Sequence, residues 1–351
     1  MITEPQKELI AIEIIEPLYL QIEEIVEAIN CHQREKFTDT FLTSLRNEST
    51  KKITLESWAN GLSTTIGQNF FENVAFILSD GEKREYTSGK LGNLKITKKQ
   101  RENISEITAN LSNKTTKPNL LEEDNLIFAF DETELINAMD FSADVFIDDG
   151  VNITAIELKT VKPNSGGSRG EKQKILEGKA ALFNKYPNHK ISFFLGFPFD
   201  PTSKDSATGF DKERFTKSVI NLNKSFAPEE ILLARELWNK LSSEADTMEQ
   251  ILDIINSIAT VQFLNEYNFL NEQQNKLDNP QKYREILSRW NLFSEIELFD
   301  KESELLNRIK NHKSAIKIFN QMIFKDGKYR QDRHETLKIY LIETEKQENL
   351  S

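Results

Sequence analysis

Apolar and polar positions near the middle of the chain predict two short β-strands joined by a tight turn. Strands are predicted at 143–147 and 151–158, because both segments are rich in the β-branched and aromatic residues that fit a pleated surface. Asp148, Asp149 and Gly150 between them are typical of a hairpin turn. The pattern therefore predicts a β-hairpin.

The segments that follow the hairpin predict a loop, a helix and a third strand. Residues 160–170 are rich in Pro, Gly, Ser and Asn, which favours a loop. Residues 171–186 carry an apolar stripe at helical spacing and end at Pro187, and the apolar run 190–197 predicts a strand. The order strand, strand, helix, strand predicts an α/β core.

Both ends of the chain are predicted to be mainly helical. Helical spacing runs through the first hundred residues, with interruptions near 47–52 and 80–81, and includes a stretch at 57–78. From Pro228 onward Leu and Ile recur at helical spacing and strand signals vanish. We therefore expect a helical N-terminal segment at 1–56, a core at 57–227 and a helical C-terminal region at 228–351.

Composition and charge describe an acidic chain that is long enough to bury a sizeable core. It has 351 residues, of which 38% are hydrophobic, and its 45 basic and 56 acidic residues give a formal net charge of −11. That charge alone argues against general affinity for nucleic acid. The distribution is uneven, because 83–117 holds nine basic and three acidic residues and 159–190 holds eight and two. These runs suit a DNA backbone, although solvated surface is the alternative for either one.

Several classes of protein find no support in the sequence. The N-terminus is acidic and amphipathic, and no apolar run is long enough for a membrane span, so we expect a cytoplasmic protein. Cys31 is the only cysteine, and the four histidines show no ligand spacing. The Gly-rich run 166–172 lacks the Gly-Lys-Ser/Thr order of a nucleotide-binding loop. No Ser-His-Asp arrangement with a nucleophile elbow is present either.

Three charged residues of the predicted hairpin suit metal-dependent hydrolysis of a phosphodiester. Glu157 and Lys159 point the same way because side chains alternate along a strand, and Asp144 on the adjacent strand can reach the same place. Two carboxylates are hard oxygen ligands for Mg²⁺, and a nearby lysine can orient a metal-bound water and stabilise charge on phosphorus. The alternative is a weak surface salt bridge, since Glu-x-Lys is common on exposed strands.

The order Asp144, Glu157, Lys159 resembles the motif of the PD-(D/E)XK nuclease superfamily, except that Ala143 stands where the first acid is usually preceded by proline. The resemblance covers roughly 60–220. It implies an α/β fold with a mixed central β-sheet flanked by helices, the restriction-endonuclease-like core. It also implies an acid from a helix beside the sheet, for which Glu72 is the candidate, with an ordinary surface glutamate as the alternative.

The runs 156–183 and 193–215 are most similar to type II restriction endonucleases, and specifically to the TdeIII-like group. This similarity implies an enzyme that depends on Mg²⁺, with Mn²⁺ as a substitute, and cuts double-stranded DNA at a short palindromic site. A palindrome is naturally read by a two-fold homodimer. Two alternatives stay open: a repair or recombination nuclease of the same fold that recognises DNA structure, and a DNA-binding protein that does not cut.

Basic residues around the motif are candidates for DNA contacts. Arg169 lies in the predicted loop, and its planar guanidinium matches the O6 and N7 edge of guanine, so we expect base contacts at a G·C-rich site. Lys172 and Lys174 are expected to assist it, and Lys162 is a further candidate. Lys98 and Lys99 are expected to contact phosphates only.

Overall fold

The computed structural model describes residues 1–27, 34–46, 51–62, 64–129, 131–160, 167–203, 208–219 and 222–348. These residues form two compact units, one at 67–248 and one made of 1–66 together with 249–351. The division at 57 and 228 that we expected from the sequence stays a prediction.

The strands are short except for three in the middle of the chain. They are β1 Glu82–Tyr86, β2 Lys95–Thr97, β3 Leu135–Asn137, β4 Phe141–Asp148, β5 Asn152–Leu158, β6 Lys190–Phe197, β7 Ile231–Leu233, β8 Phe324–Lys325 and β9 Lys328–Tyr329.

Helices occupy most of the remaining described chain, and a 3₁₀ turn lies at Pro228–Glu230. They are α1 Glu4–Glu27, α2 Arg34–Ser44, α3 Leu55–Gly61, α4 Thr64–Ser79, α5 Lys98–Asn113, α6 Leu120–Ile127, α7 Gly167–Lys185, α8 Lys212–Ser218, α9 Leu222–Ser225, α10 Arg235–Ser242, α11 Thr247–Ile258, α12 Phe263–Asn271, α13 Gln273–Asp278, α14 Pro280–Arg289, α15 Phe293–Asp300, α16 Glu302–Ile309, α17 Lys313–Phe319 and α18 Gln331–Glu348.

The unit at 67–248 is built around a five-stranded mixed sheet with strand order β1-β4-β5-β6-β7. Strands β1, β4 and β5 pair antiparallel, whereas β5, β6 and β7 pair parallel. Strands β2 and β3 form a separate antiparallel pair. The predicted α/β fold with a mixed central sheet flanked by helices is confirmed.

Helices cover both faces of the sheet. Helix α7 packs so closely that a Cβ placed on Gly178 would lie 2.9 Å from Cε1 of Phe193. On β6, a Cβ placed on Gly196 would lie 3.1 Å from Cδ1 of Leu237 in α10. Because side chains alternate along a strand, Phe193 and Gly196 face opposite sides, and so α7 and α10 bury different faces of the sheet.

The predicted hairpin, helix and third strand are all present. Val145 lies opposite Ile156 in the antiparallel ladder of β4 and β5, and β6 has the predicted bounds. The predicted loop is wrong at 167–170, because α7 already begins at Gly167. The prediction of a mainly helical first hundred residues is wrong at β1 and β2, and the absence of strands expected after Pro228 is wrong at β7.

The other unit is mainly helical and has its own apolar cores. One cluster consists of Leu298, Leu305, Ile309, Ala315, Phe319, Leu337 and Leu341. Glu295 and Arg333 form a buried ion pair at 2.7 Å, and β8 and β9 form a small hairpin. Within the described ranges, no helix combines the length and the apolar character that a membrane crossing requires.

Candidate active site

Two buried carboxylates lie side by side on the central hairpin. The register that pairs Val145 with Ile156 places Asp144 next to Glu157, and the two side chains therefore share a face. Asp144 is 5% exposed and Glu157 is 6% exposed. The backbone N–H of Leu158 donates to Oδ2 of Asp144 at 2.9 Å, which holds the first carboxylate against the strand that carries the second.

Two lysines and a serine hold Glu157. Lys159 donates from Nζ to Oε1 of Glu157 at 2.9 Å, and also contacts Oε1 of Glu171 at 3.3 Å. Lys174, from helix α7, donates to Oε1 of Glu157 at 3.2 Å and to Oγ of Ser142 at 3.3 Å. Ser142 in turn donates to Oε2 of Glu157 at 3.2 Å. The structure thus brings Glu157 and Lys159 together and adds Lys174 to the cluster.

Glu72 joins the cluster through a lysine that the sequence did not single out. Lys83, on edge strand β1, lies with Nζ 3.0 Å from Oε2 of Glu72 and 3.2 Å from Oδ1 of Asp144. The other oxygen of Glu72 accepts from Nε2 of Gln68 at 3.1 Å. Glu72 lies on helix α4 and is only 8% exposed. The ammonium group of Lys83 therefore links two buried carboxylates, those of Glu72 and Asp144.

The pKa values of the two strand carboxylates shift in opposite directions. Desolvation raises the pKa of Asp144, and the neighbouring Glu157 and Glu72 raise it further. Burial also raises the pKa of Glu157, but Lys159 and Lys174 lower it by more, so it lies below its usual value. Burial lowers the pKa of Lys159, but Glu157 and Glu171 outweigh this effect and raise it. Glu157 is thus held ionised between two ammonium groups.

The donor set of the cluster suits a hard divalent cation. Carboxylate oxygens without cysteine or histidine are the ligands that Mg²⁺ and Mn²⁺ prefer. Each carboxylate oxygen has two lone pairs, so Asp144 and Glu157 can accept a further ligand besides their present donors. In the portion of the chain that is described, no three Asp, Glu, His or Cys side chains are grouped so as to hold a metal on their own.

The predicted DNA-binding residues fall into different environments. Arg169 is exposed, but it lies in the first turn of α7 and not in a loop. Lys98 and Lys99 are exposed in the first turn of α5, beside Glu134 and Glu102 respectively. Lys162 lies outside the described residues.

Lys172 is buried and is not available to DNA as the structure stands. It is 1% exposed, and its ammonium lies 2.5 Å from Oε2 of Glu123 and 2.6 Å from Oε1 of Glu230. Breaking such a buried pair leaves uncompensated charge, which is strongly unfavourable. This placement argues against the base contact that the sequence suggested. Lys174 likewise lies against Glu157, so its surroundings fit the carboxylate cluster better than base recognition.

Comparison with known proteins gives one family and one close relative. A family model described as "Type II restriction endonuclease, HinfI" matches residues 2–259. The chain is also 41% identical over 313 residues to the type II restriction enzyme MjaII of Methanocaldococcus jannaschii. The matched region covers 84% of this chain and 83% of that protein. No solved structure matches the chain significantly.

Proposed function

The chain belongs to the HinfI family of type II restriction endonucleases, and we propose that it cuts DNA through the cluster of Asp144, Glu157 and Lys159. Its membership makes it a sequence-specific DNA endonuclease, which decides against a repair nuclease that reads DNA structure and against a protein that binds without cutting. The observation that supports this site best is the buried pair of carboxylates, on neighbouring strands, with an ammonium on each.

Type II restriction endonucleases generally need a divalent metal, and we assign Mg²⁺ to this one, with Mn²⁺ as a substitute. Asp144 and Glu157 would hold the ion because they offer adjacent buried oxygens with free lone pairs. When bound, such an ion polarises a phosphoryl oxygen and lowers the pKa of a water. Glu72 contributes indirectly, since it holds Lys83 beside Asp144.

The lysines supply the positive charge and the alignment that phosphodiester hydrolysis requires. Lys159 is 22% exposed in its side chain, so its ammonium can reach both Glu157 and an incoming phosphate. There it would orient the attacking water and stabilise charge that develops on phosphorus. Lys174, from helix α7, donates to the same oxygen of Glu157 and keeps that carboxylate in place.

We assign the DNA contacts to the exposed basic residues of the unit at 67–248. Arg169, which is exposed, would read a base edge, whereas the exposed Lys98 and Lys99 would contact phosphates. We further propose that the active form is a homodimer on a short palindromic site, because a two-fold axis presents the same reading surface to both halves.

Incubation of the purified protein with phage DNA tests activity and specificity together. We expect discrete fragments in Mg²⁺ or Mn²⁺, no cleavage in EDTA, and recovery when excess Mg²⁺ is returned. Undiminished cleavage in the chelator would contradict the metal assignment. A continuous smear in place of discrete bands would contradict site-specific cutting.

A further inference from the structure

Lys83 is placed between two buried carboxylates that come from different elements. Strand β1, which carries it, is at the edge of the sheet, and its ammonium lies 3.0 Å from Glu72 and 3.2 Å from Asp144. Both carboxylates are largely buried, whereas the Lys83 side chain is 37% exposed. The ammonium therefore bridges two buried anions from the open side of the cluster.

The charges of the cluster are nearly balanced by lysines alone. Its charged members that contact one another are Glu72, Lys83, Asp144, Glu157, Lys159, Glu171 and Lys174. They carry four negative and three positive charges, so the cluster has one excess negative charge. One divalent cation would leave one excess positive charge, which matches a single DNA phosphate. A second divalent cation would raise that excess to three.

A two-metal site needs a second ion about 3.5–4 Å from the first, bridged by a shared carboxylate. In this chain the shared carboxylate would be Asp144, and the carboxylate linked to Asp144 through Lys83 is Glu72. The Lys83 ammonium already lies between Glu72 and Asp144, within hydrogen-bond distance of both. The single positive charge of Lys83 is repelled less strongly by Lys159 and Lys174 than a second divalent ion would be.

We propose that Lys83 takes the place of a second divalent cation, so that each chain works with one metal ion. In this arrangement Glu72 is a positioning residue that holds Lys83 and does not ligate the metal. The inference rests on the proposed function, because it assumes that Asp144 and Glu157 hold the first ion. It predicts that removal of the ammonium frees Glu72 and Asp144 to bind a second ion.

Mn²⁺ binding to the full-length protein tests this directly. Free Mn²⁺ can be counted by electron paramagnetic resonance during titration of the wild type, Lys83→Met, Lys83→Arg and Lys90→Met. We expect one ion per chain for the wild type and two for Lys83→Met, because methionine keeps most of the length of the side chain but not its charge. Lys83→Arg should return to one ion. Lys90→Met is the matched control and should bind one, since Lys90 is exposed and paired with Glu85 instead.

The double variant Glu72→Gln/Lys83→Met separates a new metal site from a general loss of charge. It should bind one ion, because the second site needs the Glu72 carboxylate. The rate of first-strand nicking of supercoiled plasmid gives a further readout at low Mg²⁺. It should be first order in Mg²⁺ for the wild type and second order for Lys83→Met, and at least tenfold slower in the variant. Circular dichroism identifies any variant that fails to fold. The order of the wild-type rate in Mg²⁺ tests the proposal even then.

Two results would overturn the inference while leaving the proposed function intact. One is a wild type that cleaves DNA but binds two ions per chain, or whose first-strand nicking rate is second order in Mg²⁺. The other is a folded Lys83→Met variant that still binds a single ion, however tightly. Failure of the proposed function looks different, because the wild type would then neither bind Mn²⁺ nor cut DNA.

Discussion

Single residues decide whether the buried carboxylates of the cluster stay charged. Glu157 accepts from Lys159, Lys174 and Ser142, so its charge is compensated on both oxygens although the residue is buried. Asp144 has one backbone donor and shares Lys83 with Glu72. The two carboxylates therefore differ in how firmly their ionised form is held, and both are needed for the proposed metal site.

We expect Asp144→Ala and Glu157→Ala each to abolish cleavage and to leave DNA binding largely intact. The substitutions remove proposed metal ligands and no phosphate contact. Plasmid digestion measures cleavage, and a gel-shift assay without added metal measures binding. Glu122→Ala, an exposed glutamate on α6, is the matched control and should retain full activity. Wild-type cleavage by either cluster variant would refute the assignment.

Arg169→Ala should weaken binding to cognate DNA by roughly 1–3 kcal/mol and change binding to random DNA much less, because a bidentate base contact is lost only at the specific site. Lys98→Ala serves as the comparison, since loss of a phosphate contact should lower both affinities alike. Equal losses on the two DNAs for Arg169→Ala would make it a backbone contact. Affinities come from fluorescence anisotropy at fixed salt.

Sequence spacing was enough to predict that Asp144, Glu157 and Lys159 lie close together, because a hairpin fixes which positions of two strands meet. Sequence spacing could not predict that Lys172 is buried in ion pairs whereas Lys174 contacts Glu157. The two lysines point to different sides of α7, and the carboxylates that bury Lys172 are 49 and 58 residues away in sequence from it. Lys83 was missed for the same reason, since nothing local indicates that β1 pairs with β4.

At the scale of elements, the missed strands are those without an apolar pattern. Strand β1 reads EKREY and pairs with β4 at the sheet edge, where charged side chains protect unpaired backbone groups. Strand β7 has three residues, too few to show a period. By contrast β4, β5 and β6 are buried and long enough for their apolar runs to predict them.

The hairpin that carries both carboxylates is closed by Asp149. Its carboxylate accepts from the side chain and backbone of Asn152 and from the backbone of Val151, which lowers its pKa from 3.8 to about 2. An acid with a lower pKa in the folded state stabilises that state above its unfolded pKa and loses the effect as pH falls toward its folded pKa. Asp149→Ala should therefore destabilise the protein at neutral pH, and by less as pH falls from about 4 toward 2.

Urea unfolding of the wild type and Asp149→Ala across this range measures that difference. Asp149→Asn is the matched control, because its side-chain amide keeps an acceptor oxygen but not the charge. At neutral pH it should destabilise the protein less than Asp149→Ala does. A gap between the midpoints of wild type and Asp149→Ala that does not change with pH would show that the carboxylate charge is immaterial to the turn.

Two of the glycines in helix α7, Gly170 and Gly178, should respond differently to replacement by alanine. A Cβ on Gly178 would lie 2.9 Å from Phe193 and 3.1 Å from Phe141, both rigid rings, so Gly178→Ala should destabilise by roughly 1–3 kcal/mol. A Cβ on Gly170 would meet nothing within 4 Å, so Gly170→Ala should be neutral or stabilising by up to about 1 kcal/mol. Denaturant unfolding compares them, and similar effects would contradict the close packing of α7 on the sheet.

At the scale of the whole molecule, the basic runs of the sequence overstate the free positive charge. Lys172 and Lys179 in α7 pair with Glu123, Glu230 and Asp124, and Arg101 in α5 pairs with Glu177. Counting charges along the chain cannot reveal such pairs, because they form between distant segments. For an acidic chain of net charge −11, DNA contact must therefore rest on a few exposed basic residues.

The proposed homodimer makes a prediction about how two strands are cut. If each chain holds one active site and the dimer axis coincides with that of a palindrome, each chain cuts one strand. A dimer of one wild-type chain and one Asp144→Ala chain, isolated with two different tags, should convert supercoiled plasmid to open circles and stop there. The wild-type dimer should give linear DNA, and the doubly substituted dimer should give neither product.

Light scattering should show twice the 40.6 kDa of the single chain. A monomeric mass at concentrations that support cleavage, or linear DNA from the mixed dimer at the wild-type rate, would rule out this division of labour between the two chains.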